Sequence, residues 1–481
     1  MRAVVMTTSQ LQPAGERSME PGSEKAPWPR TPYPAPPPTQ IAIPTWGRAQ
    51  AFAPRPVTSG APEPIDSLWQ LYIYLCMENS QRVNDFILQK LKGVDEEIEK
   101  GSRGITLNLA GNNHSMPVER LTNEDFLILS KTLEKNPYIN GLDVRYNLIS
   151  DAGLYYAAKL LQKQHSLIYL NLMFNDIGPK GGELIAKALH KNTTLKYLRM
   201  TGNKVENKGG MCFAAMLQMN SSLEKLDLGD TDLGMQSVIA FATVLTQNQT
   251  IKAINLNRPI LYGEQEESTV HLGHMLKENH SLITLHMSKH NVKNSGLKQL
   301  CDALYLNRSL RYLDVSCNKI THDGMVFLAD VLKSNTTLEV IDLSFNRIEN
   351  AGANSLSETL ASHNRSLKAL VWLSIVSNNI EGEGLVALSQ SMKTNPTLSN
   401  ICIWGNKFDE ATCVAYSNLI KMGRLKPDDT DVQPYEVDGR VYLSEVSNGL
   451  KRHYYWTPTY GEASSHSSNA GFSLVPVGQQ L

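Results

Sequence analysis

The sequence predicts an α/β solenoid: a horseshoe in which a parallel sheet lines the concave side and helices cover the convex side. From about residue 104 the chain repeats the pattern LxxLxLxxNxLxxxGxxxLxxxL, where x is any residue. Repeats begin at residues 139, 167, 195, 223, 251, 282, 310, 338, 370 and 398, so seven of the nine intervals are 28 residues. Each repeat holds one stretch of period two and one of helical spacing, and stacked repeats bury the apolar side of both.

Each position of the repeat has a physical role. The two leucines of LxL alternate with a residue of the opposite face, so this part predicts a short strand. The later LxxxL spacing puts two apolar residues on one side of a helix. We expect the asparagine to turn inward and hydrogen-bond the backbone of adjacent turns. The glycine allows a tight turn into the helix.

Composition and periodicity divide the chain into four segments. Residues 1–64 hold 14 of the 23 prolines and predict a disordered arm, although docking of this arm into a partner's aromatic groove stays open. Residues 65–103 predict a helical N-terminal cap. Residues 104–422 predict a degenerate first turn followed by about ten repeats. Residues 423–481 form an aromatic-rich tail that either caps the last repeat or docks on a partner, and its end is expected to be disordered.

The bulk properties exclude several classes of protein. A formal net charge of −1 gives no reason to expect direct binding to nucleic acid or to a membrane. No apolar run approaches the roughly 20 residues needed to cross a bilayer, and no signal peptide is recognisable. The six cysteines form no CxxC pair, which favours a reducing compartment and buried structural roles. We therefore expect a cytoplasmic or nuclear protein that is not secreted.

No catalytic, cofactor or metal site is recognisable in the sequence. The glycine-rich stretch at residues 178–182 lacks the GxxxxGK[ST] pattern of a phosphate loop. His280, His286 and His290 have spacings of six and four residues, which match no common zinc site. We expect a non-catalytic, monomeric protein without a cofactor or a bound metal.

The concave face is the surface expected to bind a partner. In each strand, the residue between the two leucines points away from the helices, as do the residues two positions before and after it. Exposed aromatic residues are common anchors of protein interfaces, and aspartates favour a partner with a basic surface. The alternative is that aspartate is only a common filler at this position. The expected partner-binding residues are Tyr169, Tyr197, Arg199, Asp227, Tyr312, Asp314, Asp342, Trp372 and Trp404.

The central repeats depart from the pattern. Thr231, Pro259 and His290 replace the asparagine in three consecutive repeats, and an insertion falls near residues 259–270. We expect the asparagine ladder to be broken there. Either the solenoid is merely irregular at this point, or a loop has been shaped for a partner. A second insertion is expected near residues 362–370.

The 28-residue, helix-bearing repeat over residues 104–422 resembles the ribonuclease-inhibitor class of leucine-rich repeats. The resemblance implies the horseshoe fold but leaves the function open, because members include inhibitors, innate-immune receptors, activators of a small nuclear-transport GTPase and axonemal adaptors. The layout of arm, repeats and tail resembles one intracellular, non-catalytic member of this class. That resemblance implies a nuclear or nucleolar location beside the cytoplasmic one.

The leading functional hypothesis is a scaffold or adaptor that binds a protein partner across the concave face. One alternative is a structural component of a large assembly such as the ciliary axoneme. Another is an inhibitor or GTPase activator that regulates an enzyme. The GTPase activators of this fold end in a long acidic run, whereas this chain has only Asp428, Asp429 and Asp431 there, which counts against that reading.

Overall fold

The computed structural model describes residues 67–112, 118–262, 266–361 and 369–446, so the proline-rich arm and the tail beyond residue 446 lie outside it. Strands and helices alternate along the described chain. The strands are β1 (Ile105–Asn108), β2 (Ile139–Asp143), β3 (Tyr169–Asn171), β4 (Tyr197–Arg199), β5 (Lys225–Asp227), β6 (Ala253–Asn255), β7 (Thr284–His286), β8 (Tyr312–Asp314), β9 (Val340–Asp342), β10 (Trp372–Ser374), β11 (Asn400–Cys402), β12 (Val432–Val437) and β13 (Arg440–Glu445). The helices are α1 (Leu68–Glu78), α2 (Asp85–Glu99), α3 (Asn123–Leu133), α4 (Asp151–Lys163), α5 (Pro179–Leu189), α6 (Glu206–Leu217), α7 (Met235–Leu245), α8 (Glu267–Glu278), α9 (Asn294–Leu304), α10 (His322–Leu332), α11 (Glu349–Ala361), α12 (Gly382–Thr394) and α13 (Glu410–Lys421).

Strands β1 to β11 form one parallel sheet whose spatial order is the order of the chain. Each strand pairs with the equivalent strand of the next repeat, as Leu170 does with Leu198. The helix that follows each strand returns the chain to the start of the next one, which is the connection that parallel neighbours require. The predicted α/β solenoid is therefore confirmed.

The core lies between the sheet and the helices. The leucines of the LxL pattern and the apolar helix residues are buried together, as Leu170, Leu172, Ile185 and Leu189 show within one repeat. Burying each such side chain stabilises the fold by about 1.5–3 kcal/mol. Because this cluster runs without a break from α1 to the C-terminal hairpin, each repeat depends on its neighbours for part of its core.

The expected asparagine ladder joins the repeats at the ends of the strands. The Asn203 amide donates hydrogen bonds to the carbonyls of Leu172, 2.9 Å away in the preceding repeat, and of Met200, 2.7 Å away. Its side-chain oxygen accepts hydrogen bonds from the backbone N–H groups of Asn175 and Ile177, both at 3.2 Å. One side chain thus bonds four backbone groups, and it pairs the N–H groups of Asn175 and Ile177, which the bend of the chain would otherwise leave without a partner.

The expectation that this ladder breaks in the central repeats is wrong at one of the three positions. The His290 Nε2 lies 2.8 Å from the Leu256 carbonyl oxygen in the preceding repeat, so a longer imidazole replaces the amide there. The Thr231 hydroxyl donates to the Leu228 carbonyl of its own repeat at 2.6 Å, and the Pro259 side chain carries no donor. Among the hydrogen bonds of the described residues, the ladder is therefore interrupted at Thr231 and Pro259 and continues at His290.

A second column of asparagines holds the turns from helix to strand. The Asn307 amide donates to the Leu276 carbonyl of the preceding repeat at 2.8 Å. Its side-chain oxygen accepts from the N–H groups of Ser309 and Leu310. The same arrangement recurs at Asn192, Asn220, Asn248, Asn279, Asn335 and Asn395.

Helices α1 and α2 cover the N-terminal end of the sheet, where the sequence predicts a helical cap. Tyr72 and Leu91 are fully buried, and α2 packs on β1. The Asn84 side chain caps α2 by accepting hydrogen bonds from the N–H groups of Phe86 and Ile87. Such a cap stabilises a helix by roughly 1 kcal/mol.

Arg424 completes the turn column after the last repeat. Its guanidinium donates to the carbonyls of Met392, Asn395 and Leu398 at 2.6–2.8 Å. These carbonyls occupy the places that a further repeat's asparagine would serve. One arginine therefore takes the role of that missing residue.

The chain after Arg424 also closes the end of the sheet. The Asp431 carboxylate accepts hydrogen bonds from the N–H groups of Ile403, at 2.8 Å, and Trp404, at 2.9 Å. The hairpin β12–β13 then packs on α13 and buries Val432 and Leu443. Of the two roles left open for the tail, residues 424–446 take that of a C-terminal cap.

The six cysteines, all within the described ranges, form no disulfide there. The expectation that they are buried holds for half of them and is wrong for the other half. The buried ones are Cys76, Cys301 and Cys413, and the half-buried ones are Cys212, Cys317 and Cys402.

Candidate protein-binding face

All nine predicted partner-binding residues lie on the side of the sheet that faces away from the helices. The register aligns them across strands, since Arg199 pairs with Asp227 and Asp314 pairs with Asp342. Their neighbours in each strand point into the core, so the period of two that predicted this face is confirmed. They come from β3, β4, β5, β8, β9 and β10, and Trp404 follows β11.

Their predicted exposure, however, is wrong for five of the nine. Adjacent strands lie about 4.8 Å apart, so large side chains at the same level of neighbouring strands cover one another. The residues buried in this way are Tyr169, Arg199, Asp227, Tyr312 and Asp314. The half-buried ones are Tyr197, Asp342, Trp372 and Trp404. The surface that a partner can reach is therefore smaller than the sequence indicates.

A buried polar network fills the concave face over β2 to β6. Arg199 Nε lies 3.2 Å from the Asp227 carboxylate, and both side chains are almost completely buried. The same carboxylate accepts hydrogen bonds from Thr201, at 2.5 Å, and from Asn255, at 3.0 Å. A buried charge is tolerated only when it is paired in this way.

Burial also changes the acid–base properties of this network. Loss of hydration raises the pKa of Asp143, although the charge of Arg145 opposes the change. Burial raises the pKa of the Tyr169 hydroxyl as well. Burial alone would lower the pKa of Arg199, but the charge of Asp227 outweighs it and the pKa is raised. The guanidinium therefore stays charged.

A second polar cluster fills the face over β7 and β8. His286 Nδ1 lies 3.3 Å from the Asp314 carboxylate, and the His286 and Tyr312 rings are 4.7 Å apart. Asp314 also accepts a hydrogen bond from the Ser316 N–H at 2.9 Å. Burial alone would raise the pKa of Asp314, but the hydrogen bonds from His286 and Ser316 outweigh it and lower that pKa.

Neither a membrane-spanning helix nor a metal-binding cluster is found in the part of the chain described here. None of its helices is long and apolar enough to cross a bilayer. It also holds no group of three or more His, Cys, Asp or Glu residues arranged around a common point. His286 and His290 make separate contacts, with Asp314 and with the Leu256 carbonyl.

Lys225 and Tyr197 form a contact of a different kind on β5 and β4. The Lys225 ammonium lies 4.3 Å from the centre of the Tyr197 ring. Burial lowers the pKa of Lys225 from 10.5 to about 7, against the opposing charge of Glu224 and with a smaller contribution from the charge of Arg199. This lysine therefore titrates close to physiological pH.

Two half-exposed tryptophans lie at the C-terminal end of the face. Ser374 and Cys402 are level with each other on β10 and β11. Trp372 precedes Ser374 by two residues, and Trp404 follows Cys402 by two, so the tryptophans flank a floor of small side chains. We call these four residues the tryptophan groove. The Trp404 ring is also held by Phe408, with ring centres 5.8 Å apart.

A row of left-handed residues borders the concave face. The residue before the ladder position has a positive φ in each repeat from β2 to β11, where the chain turns sharply after the strand. These residues are Tyr146, Phe174, Gly202, Asp230, Arg258, Lys289, Cys317, Phe345, Ser377 and Gly405. Side chains other than glycine cost roughly 1–2 kcal/mol in this conformation, which the surrounding hydrogen bonds offset.

This row contains exposed aromatic residues that the sequence reasoning missed. The rings of Tyr146 and Phe174 stack with centres 4.5 Å apart, and Phe174 is 37% exposed. Phe174 also lies over Gly202, where an added Cβ would come within 2.3 Å of the ring. Phe345 occupies the equivalent position, directly before the ladder residue Asn346, and is 43% exposed. The signal in the sequence that could have identified these exposed rings is an aromatic residue directly before the ladder asparagine.

Comparison with known proteins agrees with this architecture. The family model described as "Leucine Rich repeat" matches residues 163–186, 191–214, 278–301, 306–329, 334–357 and 363–389. A solved structure of the leiomodin-1 actin-binding site 2 is 24% identical, covers 32% of this chain and 86% of its own, and has a TM-score of 0.27, which is too low to support an argument.

Three relatives are similar to this chain over their entire length. Leucine-rich repeat-containing protein 34 of Homo sapiens is 73% identical over 476 residues, which is 99% of this chain and 100% of the relative. The proteins of the same name from Mus musculus and Rattus norvegicus are 75% and 73% identical over 418 residues, which is 87% of this chain and 100% of each relative. This is the member of the class that the predicted layout of arm, repeats and tail resembles. The chain therefore belongs to the leucine-rich repeat-containing protein 34 family.

Proposed function

We propose that this protein is a non-catalytic scaffold or adaptor that binds a protein partner on its concave face. Proteins built from leucine-rich repeats typically act as protein-binding scaffolds. The observation that carries the proposal is the set of half-exposed aromatic side chains Tyr197, Trp372 and Trp404 on the sheet face opposite the helices that the structure describes. Large aromatic side chains at such a position are the usual anchors of an interface.

The partner we propose is a protein with a basic surface, and the chain itself acts as a monomer without a cofactor. Asp342 supports this choice, because it is half-exposed beside the aromatic residues. We propose a cytoplasmic and nuclear location, including the nucleolus. Imaging of the tagged full chain tests this location, and exclusive labelling of ciliary axonemes would favour the structural alternative.

The alternative of a GTPase activator receives little support from the acidic residues after the last repeat. Asp429 accepts a hydrogen bond from Asn400 at 2.9 Å, and Asp431 caps the N–H groups of Ile403 and Trp404. These two carboxylates therefore help to close the solenoid and are not part of a long acidic run.

Site-specific photo-crosslinking in cells tests the proposal. A photoreactive phenylalanine analogue is placed singly at positions 197, 372 and 404 of the full chain. The matched control is position 155 on α4, because Tyr155 is an aromatic residue of the convex side that is 46% exposed. We expect the concave positions to crosslink the same protein, and position 155 to leave it uncrosslinked. Equal capture from position 155, or no crosslink from the three concave positions, would refute the proposal.

A further inference from the structure

We infer that the tryptophan groove is a docking site for a partner protein segment that presents an arginine side chain. The inference deepens the proposed function and rests on it, because it names the part of the concave face that makes contact and the chemistry that it recognises. It depends on three observations: which part of the face is accessible, how the groove is shaped, and how charge is distributed around it.

Access separates the groove from the rest of the face. Over β3 to β8, the large side chains at the centre of the face are mostly buried against each other, as with Arg199 beside Asp227 and His286 beside Asp314. Over β9 to β11 the side chains of Asp342, Trp372 and Trp404 are all half-exposed. At the C-terminal end a half-exposed aspartate therefore lies on the strand next to that of a half-exposed tryptophan, whereas the accessible aromatic residues Tyr197 and Phe174 lie toward the N-terminal end, where the strand aspartates are buried.

The shape of the groove suits a flat group. Four residues along the strand direction separate the levels of Trp372 and Trp404, a distance of roughly 13 Å. Of the strand residues that the structure describes, the small side chains of Ser374 and Cys402 occupy the levels between them. The Ser374 hydroxyl is 2.7 Å from that of Ser344. A planar guanidinium can stack on either indole ring while its edges remain available for hydrogen bonds.

Charge favours a cation at this end of the sheet. The strand segments 340–344, 372–376 and 400–404, together with the turn at 427–431, contain four aspartates and no lysine, arginine or histidine. The aspartates are Asp342, Asp428, Asp429 and Asp431. Asp429 is held against the concave side of β11 by its hydrogen bond with Asn400. The groove therefore lies between acidic groups on two sides.

Arginine fits these features better than lysine does. Its guanidinium can stack on an aromatic ring and at the same time donate two parallel hydrogen bonds to a carboxylate, which an ammonium group cannot do. A nucleic acid is disfavoured because its phosphates would meet the four aspartates. The partner we infer is therefore an extended protein segment with one or more arginines.

Fluorine NMR of the full chain labelled with 5-fluorotryptophan tests the inference. The probes are the peptide acetyl-Gly-Arg-Gly-Arg-Gly-amide and the same peptide with citrulline, which has a similar shape but no charge. The variants Trp372→Phe and Trp404→Phe assign the two signals. We expect the arginine peptide to shift both signals in a saturable manner and to bind at least fivefold more tightly than the citrulline peptide.

Two variants test which carboxylate contributes to binding of the arginine peptide. Asp342→Asn should weaken binding of the arginine peptide at least threefold. The control Asp323→Asn, on the convex helix α10 where the side chain is 73% exposed, should leave it unchanged. Equal affinity for the citrulline peptide, or equal effects of the two variants, would overturn the inference. If the peptides fail while positions 372 and 404 still crosslink a partner in cells, the arginine chemistry is wrong and the proposed function stands.

Discussion

Arg199 and Asp227 show how strongly a charged side chain depends on its immediate partner. Removing two charges from water costs nearly as much as their attraction returns, so a buried pair adds little net stability. The loss of one member is different, because it leaves the other charge buried without compensation. At the scale of single residues, the concave face is thus held together by pairs whose members cannot be removed separately.

Arg199→Met should lower the free energy of unfolding by about 3–5 kcal/mol, because Asp227 would lose its cation in a buried site. The control is Arg258→Met. The Arg258 guanidinium lies 3.0 Å from Asp230, but the two side chains are 60% and 44% exposed. An exposed pair of this kind contributes about 0–1 kcal/mol. Urea denaturation measures both changes, and equal losses would contradict the expectation.

Lys225 gives the stability a dependence on pH. Its pKa is about 7 in the folded chain and near 10.5 when unfolded, so between these values the unfolded state binds more protons. Stability should therefore rise with pH above about 7. From pH 7 to 8.5 the free energy of unfolding of the wild type should increase by about 1–2 kcal/mol relative to Lys225→Met. Parallel pH profiles of the two proteins would show that Lys225 does not titrate in this range.

The asparagine ladder is the feature that turns separate strand–helix units into one structure. Asn203 serves backbone groups of two repeats, while its own backbone belongs to the later one. At the scale of elements, the ladder therefore couples the stability of each repeat to that of its neighbour. His290 shows that another side chain with a donor can maintain it, whereas the Thr231 hydroxyl bonds only to a carbonyl of its own repeat.

Asn203→Ala should lower the free energy of unfolding by about 2–4 kcal/mol, because two buried backbone N–H groups lose their partner and two carbonyls lose one of their donors. Thr231→Val is the matched control in the next repeat. It keeps the shape of the side chain and removes one hydrogen bond, so we expect a loss of about 1 kcal/mol. Thermal denaturation followed by circular dichroism compares the two. A loss at Thr231 as large as that at Asn203 would argue against the ladder.

The sequence predicts these elements well because their signals are local. The spacing of Leu170 and Leu172 indicates a strand, and it also tells which side of the sheet Asn171 occupies. The burial of Tyr169 and Arg199 could not be predicted in this way, because it depends on side chains 28 residues away on neighbouring strands. The left-handed row was missed for a related reason: Tyr146 and Phe174 are not residue types that normally indicate a positive φ.

At the scale of the whole molecule, the solenoid behaves as a line of units with two ends. Each repeat contacts only its neighbours, so stability at an end depends on the element that covers it. At the N-terminal end α1 and α2 provide this cover, and at the C-terminal end Arg424, Asp431 and the hairpin provide it. The tryptophan groove lies next to the second of these caps, so the order of the groove depends on it.

Arg424→Met should loosen the C-terminal end while leaving distant repeats unchanged. Three carbonyls would lose their donor, and we expect faster hydrogen exchange over residues 392–404. The effect should fall to background by β8, because order is passed only between neighbours. Arg440→Met, on the exposed face of the hairpin, is the control and should alter little. Faster exchange along the entire solenoid would contradict this picture.

The asparagines of the helix-to-strand turns have a consequence for the compartment in which this chain can fold. All seven are followed two positions later by serine or threonine, and the six without an intervening proline form the acceptor sequence for N-linked glycosylation. These six are Asn192, Asn220, Asn248, Asn279, Asn307 and Asn335. The sugar is attached to the same nitrogen that donates to the preceding repeat. In a secreted copy of this chain, glycosylation during synthesis would therefore block the hydrogen bonds that join its repeats.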